Sequence, residues 1–506
     1  MKTFKTLLLG TAAGLVAVAG AQAADMPVKA APVQYVKICS LYGDGFYYIP
    51  GTDTCLKLGG YLRVQGEYNM GAGGVPAGSG TTEGPQARFT RDNTNDFNYR
   101  VRGVTSWDVR QQTEYGTLRT YIRFGVENTT PAASGGGTTA TAFWDRAFIQ
   151  FAGFTVGRSQ SFFDLFTYGG AYSYHNVRVS GDTGASGQNL WAYTAQFGNG
   201  FSGTLSLEDP INHRTNAGTI DVLTPAFFAV NGAFTADNAF HNQAAAMFGF
   251  RVPDVVATLR VDQAWGFAGV SAVLHDASGA YYGFPNNVNN GHPEDKYGWA
   301  LAGGAKFNLP GGDMIGFNVC YSEGDGGRCT KEGAWQVYNS STSVGVGWLS
   351  DGVFGTGTQI ELTKVWSALA AYQHIWNPKW RTAVGGGYVN VHYDDAAKNL
   401  INARIPGVQA ACGLLAAAPT ITALTLLPGN TCSPDYSFWE AYTRTQWNPV
   451  PQLDIGLQVM YTHHNTAYKG NAVYGAPQNG SRPAVALIDD QNVWSAMFRW
   501  QRNFYP

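Results

Sequence analysis

The stretch LKLGGYLRVQGEY, Leu56 to Tyr68, puts Leu56, Leu58, Leu62, Val64 and Tyr68 on one parity and Lys57, Tyr61, Arg63, Gln65 and Glu67 on the other. A period of two marks a strand with two unlike faces. The texture recurs in sixteen segments: 56–68, 96–110, 116–127, 142–152, 154–160, 189–197, 201–208, 254–263, 267–276, 297–308, 314–322, 360–375, 380–393, 436–447, 453–463 and 492–504. Their connections alternate in kind. The Gly-rich NMGAGGVPAGSGTTEGPQ leads into the second segment, the tight QQTEY follows it, and the long-then-short order repeats to the end. An even number of strands of roughly ten residues, with short turns at one end and long loops at the other, predicts an all-β, 16-stranded antiparallel transmembrane barrel. Its turns would be periplasmic and its loops extracellular. A soluble sandwich has no reason to put every long connection at one end, and closure removes the sheet edges that hydrocarbon would leave unsatisfied.

Composition fits that reading. Charged residues make up 13% of the chain, about half the roughly 25% usual in soluble domains, while there are 64 glycines and 14% aromatics. With a net charge of −2 there is no basic footprint for nucleic acid. Lys2 and Lys5 precede the apolar run Leu7 to Ala19, and Ala21-Gln22-Ala23 supplies a small-x-small site; residues 1–23 read as a secretory signal peptide, too short in its apolar core to span a membrane as a helix. Residues 24–55 read as an N-terminal periplasmic segment and 56–506 as the barrel. In an exported chain the six cysteines invite local pairing, Cys39 with Cys55, Cys320 with Cys329 and Cys412 with Cys432. Six cysteines allow fifteen connectivities, and free thiols are the alternative.

The parities assign faces. Leu62, Val64, Val101, Ile122, Phe124, Ile149, Trp494, Phe498 and Trp500 are expected to face lipid; Lys57, Gln65, Glu67, Asp108, Glu127 and Gln150 face inward. Arg63, Arg100, Arg102, Arg119, Arg123 and Arg146 share the inner parity of the first four strands and are expected to form one basic arc. Sixteen strands enclose an aqueous bore, where rings of like charge set selectivity. The candidate counter-charges, Asp164 and Asp182, lie in the long segment 161–188, whose aromatics Phe162, Phe163, Phe166, Tyr168, Tyr172 and Tyr174 would pack it on the wall if it folds inward. The alternative is that the arginines sit in scattered ion pairs and the loop covers the outer mouth.

YVKICSLYGDGFYYIPGTDTCLKLGGYLR (Tyr35 to Arg63), WDRAFIQFAGFTVGRSQSFFD (Trp144 to Asp164), RVDQAWGFAGVSAVLHDA (Arg260 to Ala277) and the closing VWSAMFRWQRNF resemble the general porins of rhizobia-like alphaproteobacteria. The resemblance implies a homotrimer in outer-membrane lipid, passive diffusion of small hydrophilic solutes and ions, and a third loop, here 161–188, folded into the lumen. No catalytic residues, cofactor or metal are expected. The Gly-rich stretch 71–84 lacks the Gly-Lys-Ser/Thr of a phosphate loop, and His463 and His464 fall on opposite faces of one strand. A barrel enzyme and a solute-specific channel are the rival readings.

Overall fold

The computed structural model describes residues 37–71, 75–76, 97–130, 139–166, 172–174, 187–210, 219–221, 249–282, 288–330, 334–340, 343–403, 425–426, 429–473 and 485–504. The expected signal peptide, Tyr168, Asp182 and Cys412 lie outside them.

Sixteen strands form the wall: β1 Cys55–Tyr68, β2 Phe97–Thr113, β3 Gly116–Thr130, β4 Thr139–Phe151, β5 Phe154–Ser159, β6 Gln188–Gly198, β7 Phe201–Glu208 and β8 Asp254–Gln263, then β9 Gly266–Asp276, β10 Tyr297–Asn308, β11 Met314–Glu323, β12 Lys364–Asn377, β13 Trp380–His392, β14 Tyr436–Trp447, β15 Leu453–Asn465 and β16 Gln491–Asn503. Each pairs antiparallel with its sequence neighbour, and β16 pairs with β1, Tyr61 opposite Asn503, so the sheet closes without an edge. The short connections all fall at one end. Asn199 and Gly200 form one of them, both at positive φ (49° and 76°), the two-residue turn whose twist suits a hairpin. A side chain at Gly200 would collide with the Asp262 carbonyl of β8. The sixteenth strand was expected to run to residue 504 and the twelfth to begin at 360. Residues 360–362 instead belong to the loop layer, where Glu361 pairs with Val353.

Exposure separates the faces. On the outside, Trp191 is 70%, Leu259 61% and Trp494 61% exposed, whereas inward Glu67 and Gln458 are fully buried. Aromatic side chains gather near both rims. Trp265 stacks on Phe307 and Trp380 on Trp447 at the turn end, and Trp439, Tyr461 and Trp494 form a run toward the loop end. Leu205, Leu259, Val270, Leu301 and Leu457 fill the band between. Such a surface is unstable in water and matched to hydrocarbon flanked by interfacial girdles. No helix among the described residues is long and apolar enough to cross a membrane.

Both ends are furnished. At the turn end, the Cys39–Cys55 disulfide and the pairing of Tyr47 and Tyr48 with Leu56 and Cys55 fasten residues 37–54 to the foot of β1. Arg110 lies 4.9 Å above the Phe46 ring, and Lys57 donates to the Asp44 carbonyl at 2.9 Å. At the loop end, Leu349, Val353, Tyr393, Ile401, Phe438 and Tyr468 are buried in one apolar cluster. A helix, α1, Gly326–Cys329, is tied by the Cys320–Cys329 disulfide, and a second, α2, Asp395–Asn402, is capped by Asp394, which accepts from the Ala397 N–H.

Candidate functional site: the basic wall and the inward loop

Register stacks the inner side chains of β1–β4. Asp454, Gln501, Arg63, Arg102 and Glu127 follow one another across β15, β16, β1, β2 and β3. Arg63 donates to Gln501 Oε1 at 2.7 Å, Arg100 pairs with Glu127, and Arg102 lies 3.5 Å from Glu127 and 3.3 Å from Asp145. Arg123 reaches Asp145 at 3.2 Å, and Arg146 donates to the Asp145 carbonyl. Nearer the turn end, Asp108 accepts from both Arg110 and Arg119, and Arg119 also donates to Gln150. Five of the six arginines thus gather around Glu127 and Asp145, while Arg119 sits nearer the turn end with Arg110 on Asp108.

Asp145 was not among the expected inward residues. Strict alternation from Arg146 aims it at lipid. A register shift between Arg123 and Phe124 pairs Phe124 with Trp144 and so takes Asp145 out of the alternation. It is 1% exposed, within reach of Arg63, Arg102, Arg123 and Arg146. A β-bulge re-aims side chains in this way. The sequence signal was available, since a carboxylate on a lipid-facing parity is too costly to leave there.

The described part of the third loop lies inside the barrel. Thr258 of β8 donates to the Phe162 carbonyl and Ser271 of β9 to that of Phe163, at 2.7 and 2.8 Å. Phe163 and Phe166 are buried at 0% and 1% exposure. Farther along, the Tyr174 N–H donates to Gln458, its hydroxyl donates to Asp454 at 2.8 Å, and Arg499 donates to its carbonyl. The loop therefore follows the inner faces of β8–β11 and then β15–β16, and Tyr174 sits at the height of the Asp454–Arg63–Glu127 row. Asp164, between two anchored residues, donates its backbone N–H to the Ser161 carbonyl.

Glycines on the wall admit the loop. A β-carbon at Gly316 would overlap the Phe166 ring, and one at Gly456 the Tyr174 hydroxyl. Gly316→Leu is expected to push Phe166 off the wall, costing about 1–3 kcal/mol, and to lower single-channel conductance. Gly303→Leu, on the outer face with only Val319 Cγ2 at 3.9 Å, should leave conductance unchanged.

The loop's root is held by a buried polar cluster that sequence reasoning missed. Arg328, 1% exposed, donates to Ser161 and Glu208 through Nη1 and to Asp254 through Nη2 at 2.6 Å. His275 Nδ1 lies 2.7 Å from Asp254 Oδ1, and Nε2 lies 3.4 Å from Asp351 Oδ2. Burial pushes the Asp325 carboxyl up to about 7, against the opposing pull of His275 and Arg328. At the other end of the barrel, hydrogen bonds from Tyr372, His374 and the Ile375 N–H hold Asp313 down at about 2.

A closed barrel with an apolar exterior, a charged interior and a loop folded into its bore defines a bacterial outer-membrane diffusion channel. The profile of a family described as a porin subfamily matches residues 25–497, and the chain belongs to that porin family. It is 32% identical to porin Omp2b of Brucella neotomae over 353 residues, 64% of this chain and 85% of that one. Porin Omp2a of Brucella melitensis is likewise 32% identical, with 64% and 86% covered. The fold is similar to that of the outer membrane channel DcaP of Acinetobacter baumannii, with a TM-score of 0.55, 12% identity, and 90% and 99% of the two chains covered. Members of this family are channels rather than enzymes. The chain is a multi-strand outer-membrane porin and forms a passive diffusion channel.

Proposed function

We propose that ions and small hydrophilic solutes pass a transverse field between the arginines of β1–β4 and the acids of the third loop, Asp164 and Asp182. The supporting observation is the surplus of positive charge on one wall. Among the described residues, Arg63, Arg100, Arg102, Arg123 and Arg146 gather with Glu67, Glu127 and Asp145 on one inner face, five cations to three carboxylates, while the loop runs first along β8–β11 and then along β15–β16 beside β1. The arginines divide by exposure. The Arg100 and Arg102 side chains are 8% exposed and serve mainly the wall, whereas those of Arg119 and Arg123, at 27% and 31%, meet water and set the field that ions sense.

Under a KCl gradient in planar bilayers, Arg119→Gln with Arg123→Gln should shift the reversal potential toward cation preference, and Asp164→Asn with Asp182→Asn toward anion preference. Unchanged potentials in both pairs would count against a lumenal field at these residues. A solute-specific track is the second reading, favoured by the stacked Tyr121 and Phe148 on the inner wall, 5.4 Å apart beside Arg119; block of ion current by a sugar would support it. The assembly is proposed to be a homotrimer in outer-membrane lipid, in keeping with the family resemblance and read as a heat-modifiable, SDS-resistant band. No cofactor enters this mechanism.

A further inference from the structure

We propose that Asp254, His275 and Asp325 bind a divalent transition cation, of zinc or manganese type, at the loop end of β8 and β9. One ligand atom from each lies within 4.8 Å of the others, a spacing that a metal with bonds of about 2.0–2.2 Å can bridge after small side-chain adjustments. All three residues are buried, at 0%, 1% and 0% exposure.

The positions are fixed by rigid elements. The antiparallel ladder that sets Val255 opposite Leu274 brings Asp254 beside His275. Asp325 precedes α1, which the Cys320–Cys329 disulfide ties to the end of β11. A site built on strands and a cross-linked turn is organised before its ligand arrives.

Hydrogen bonding points to a missing partner. Both Asp325 carboxylate oxygens are buried without a hydrogen bond, the nearest cation being Arg328 Nε at 3.5 Å, and His275 Nε2 has only the long contact to Asp351 Oδ2 at 3.4 Å. Groups left so in a folded interior call for an ion or water. Charge points the same way. Glu208, Asp254, Asp325 and Asp351 surround Arg328 and His275. The Arg328 Nη atoms are committed to Ser161, Glu208 and Asp254, and Arg328 and His275 together supply at most two positive charges against four carboxyl groups. An imidazole among carboxylates suits zinc or manganese, whereas calcium asks for six to eight oxygens. Because Ser161 and Glu208 adjoin the site through Arg328, the cation would also brace the root of the third loop.

The test uses full-length, untagged protein in detergent, stripped with EDTA, loaded with ZnCl2 or MnCl2, desalted and analysed by mass spectrometry for metal. About one ion per chain is expected, with loss of binding in the near-isosteric Asp325→Asn. Metal retained undiminished in Asp325→Asn, or substoichiometric uptake of both metals by the unaltered protein, would overturn the proposal. A zinc K-edge spectrum of the unaltered protein keeps it falsifiable if the variant misfolds: one nitrogen among oxygens is expected, and a shell of several imidazoles, the mark of surface histidines, would refute it.

Discussion

Arg328→Met is expected to destabilise the folded barrel by about 3–5 kcal/mol, the cost of stranding buried charges by removing one partner. The substitution leaves Glu208 and Asp254 without the cation that bridges them. Ser161 at the root of the third loop loses its contact with α1 as well. The loop should therefore loosen along with the wall. The predicted readouts are a lower temperature for conversion of the folded band on SDS gels and a noisier open-channel current. Arg328→Lys should fall between, because an ammonium keeps the charge but not the fork that reaches two carboxylates and a hydroxyl together. A methionine variant with unaltered melting and noise would show that the cluster does not anchor the loop.

The second large effect concerns the outside. Val270 lies near the middle of β9, is 57% exposed and is paired with Leu259 on β8. In a solvated sheet a charge there would cost little. In hydrocarbon, Val270→Arg should cost about 2–4 kcal/mol at mid-depth, measured by urea unfolding in lipid vesicles. A value near zero would mean that this face does not contact lipid.

How much of this was legible beforehand depended on periodicity. The parity of Leu62, Val64 and Phe498 against Arg63, Gln65 and Arg499 follows from a rule that lipid and water enforce at every second residue, and the strand order followed from connection length. The inward loop was legible through its aromatics, since Phe163, Phe166 and Tyr174 have no alternating context yet need burial. Their seats, Gly316 and Gly456, were not, because a glycine in a strand carries no mark of what approaches it. Asp145 was missed because strict alternation from Arg146 does not place it inward, a bulge being a one-residue exception to a two-residue period. The Arg328 cluster was beyond reach for a different reason. It gathers Ser161, Glu208, Asp254, His275, Asp325 and Asp351 from six places in the chain, through long loops whose paths no local pattern specifies. The Cys39–Cys55 and Cys320–Cys329 pairings agreed with proximity in sequence, while the partner proposed for Cys432 falls outside the described residues.

Single-channel conductance of the reconstituted protein, recorded over a range of KCl concentrations, tests the whole account most directly. Stepwise insertions whose conductance rises in proportion to bulk conductivity are predicted, because a wide wet bore admits ions with their hydration water. Bilayers that stay electrically silent, or a current that saturates at low salt as a tight ion-binding site would require, would contradict it.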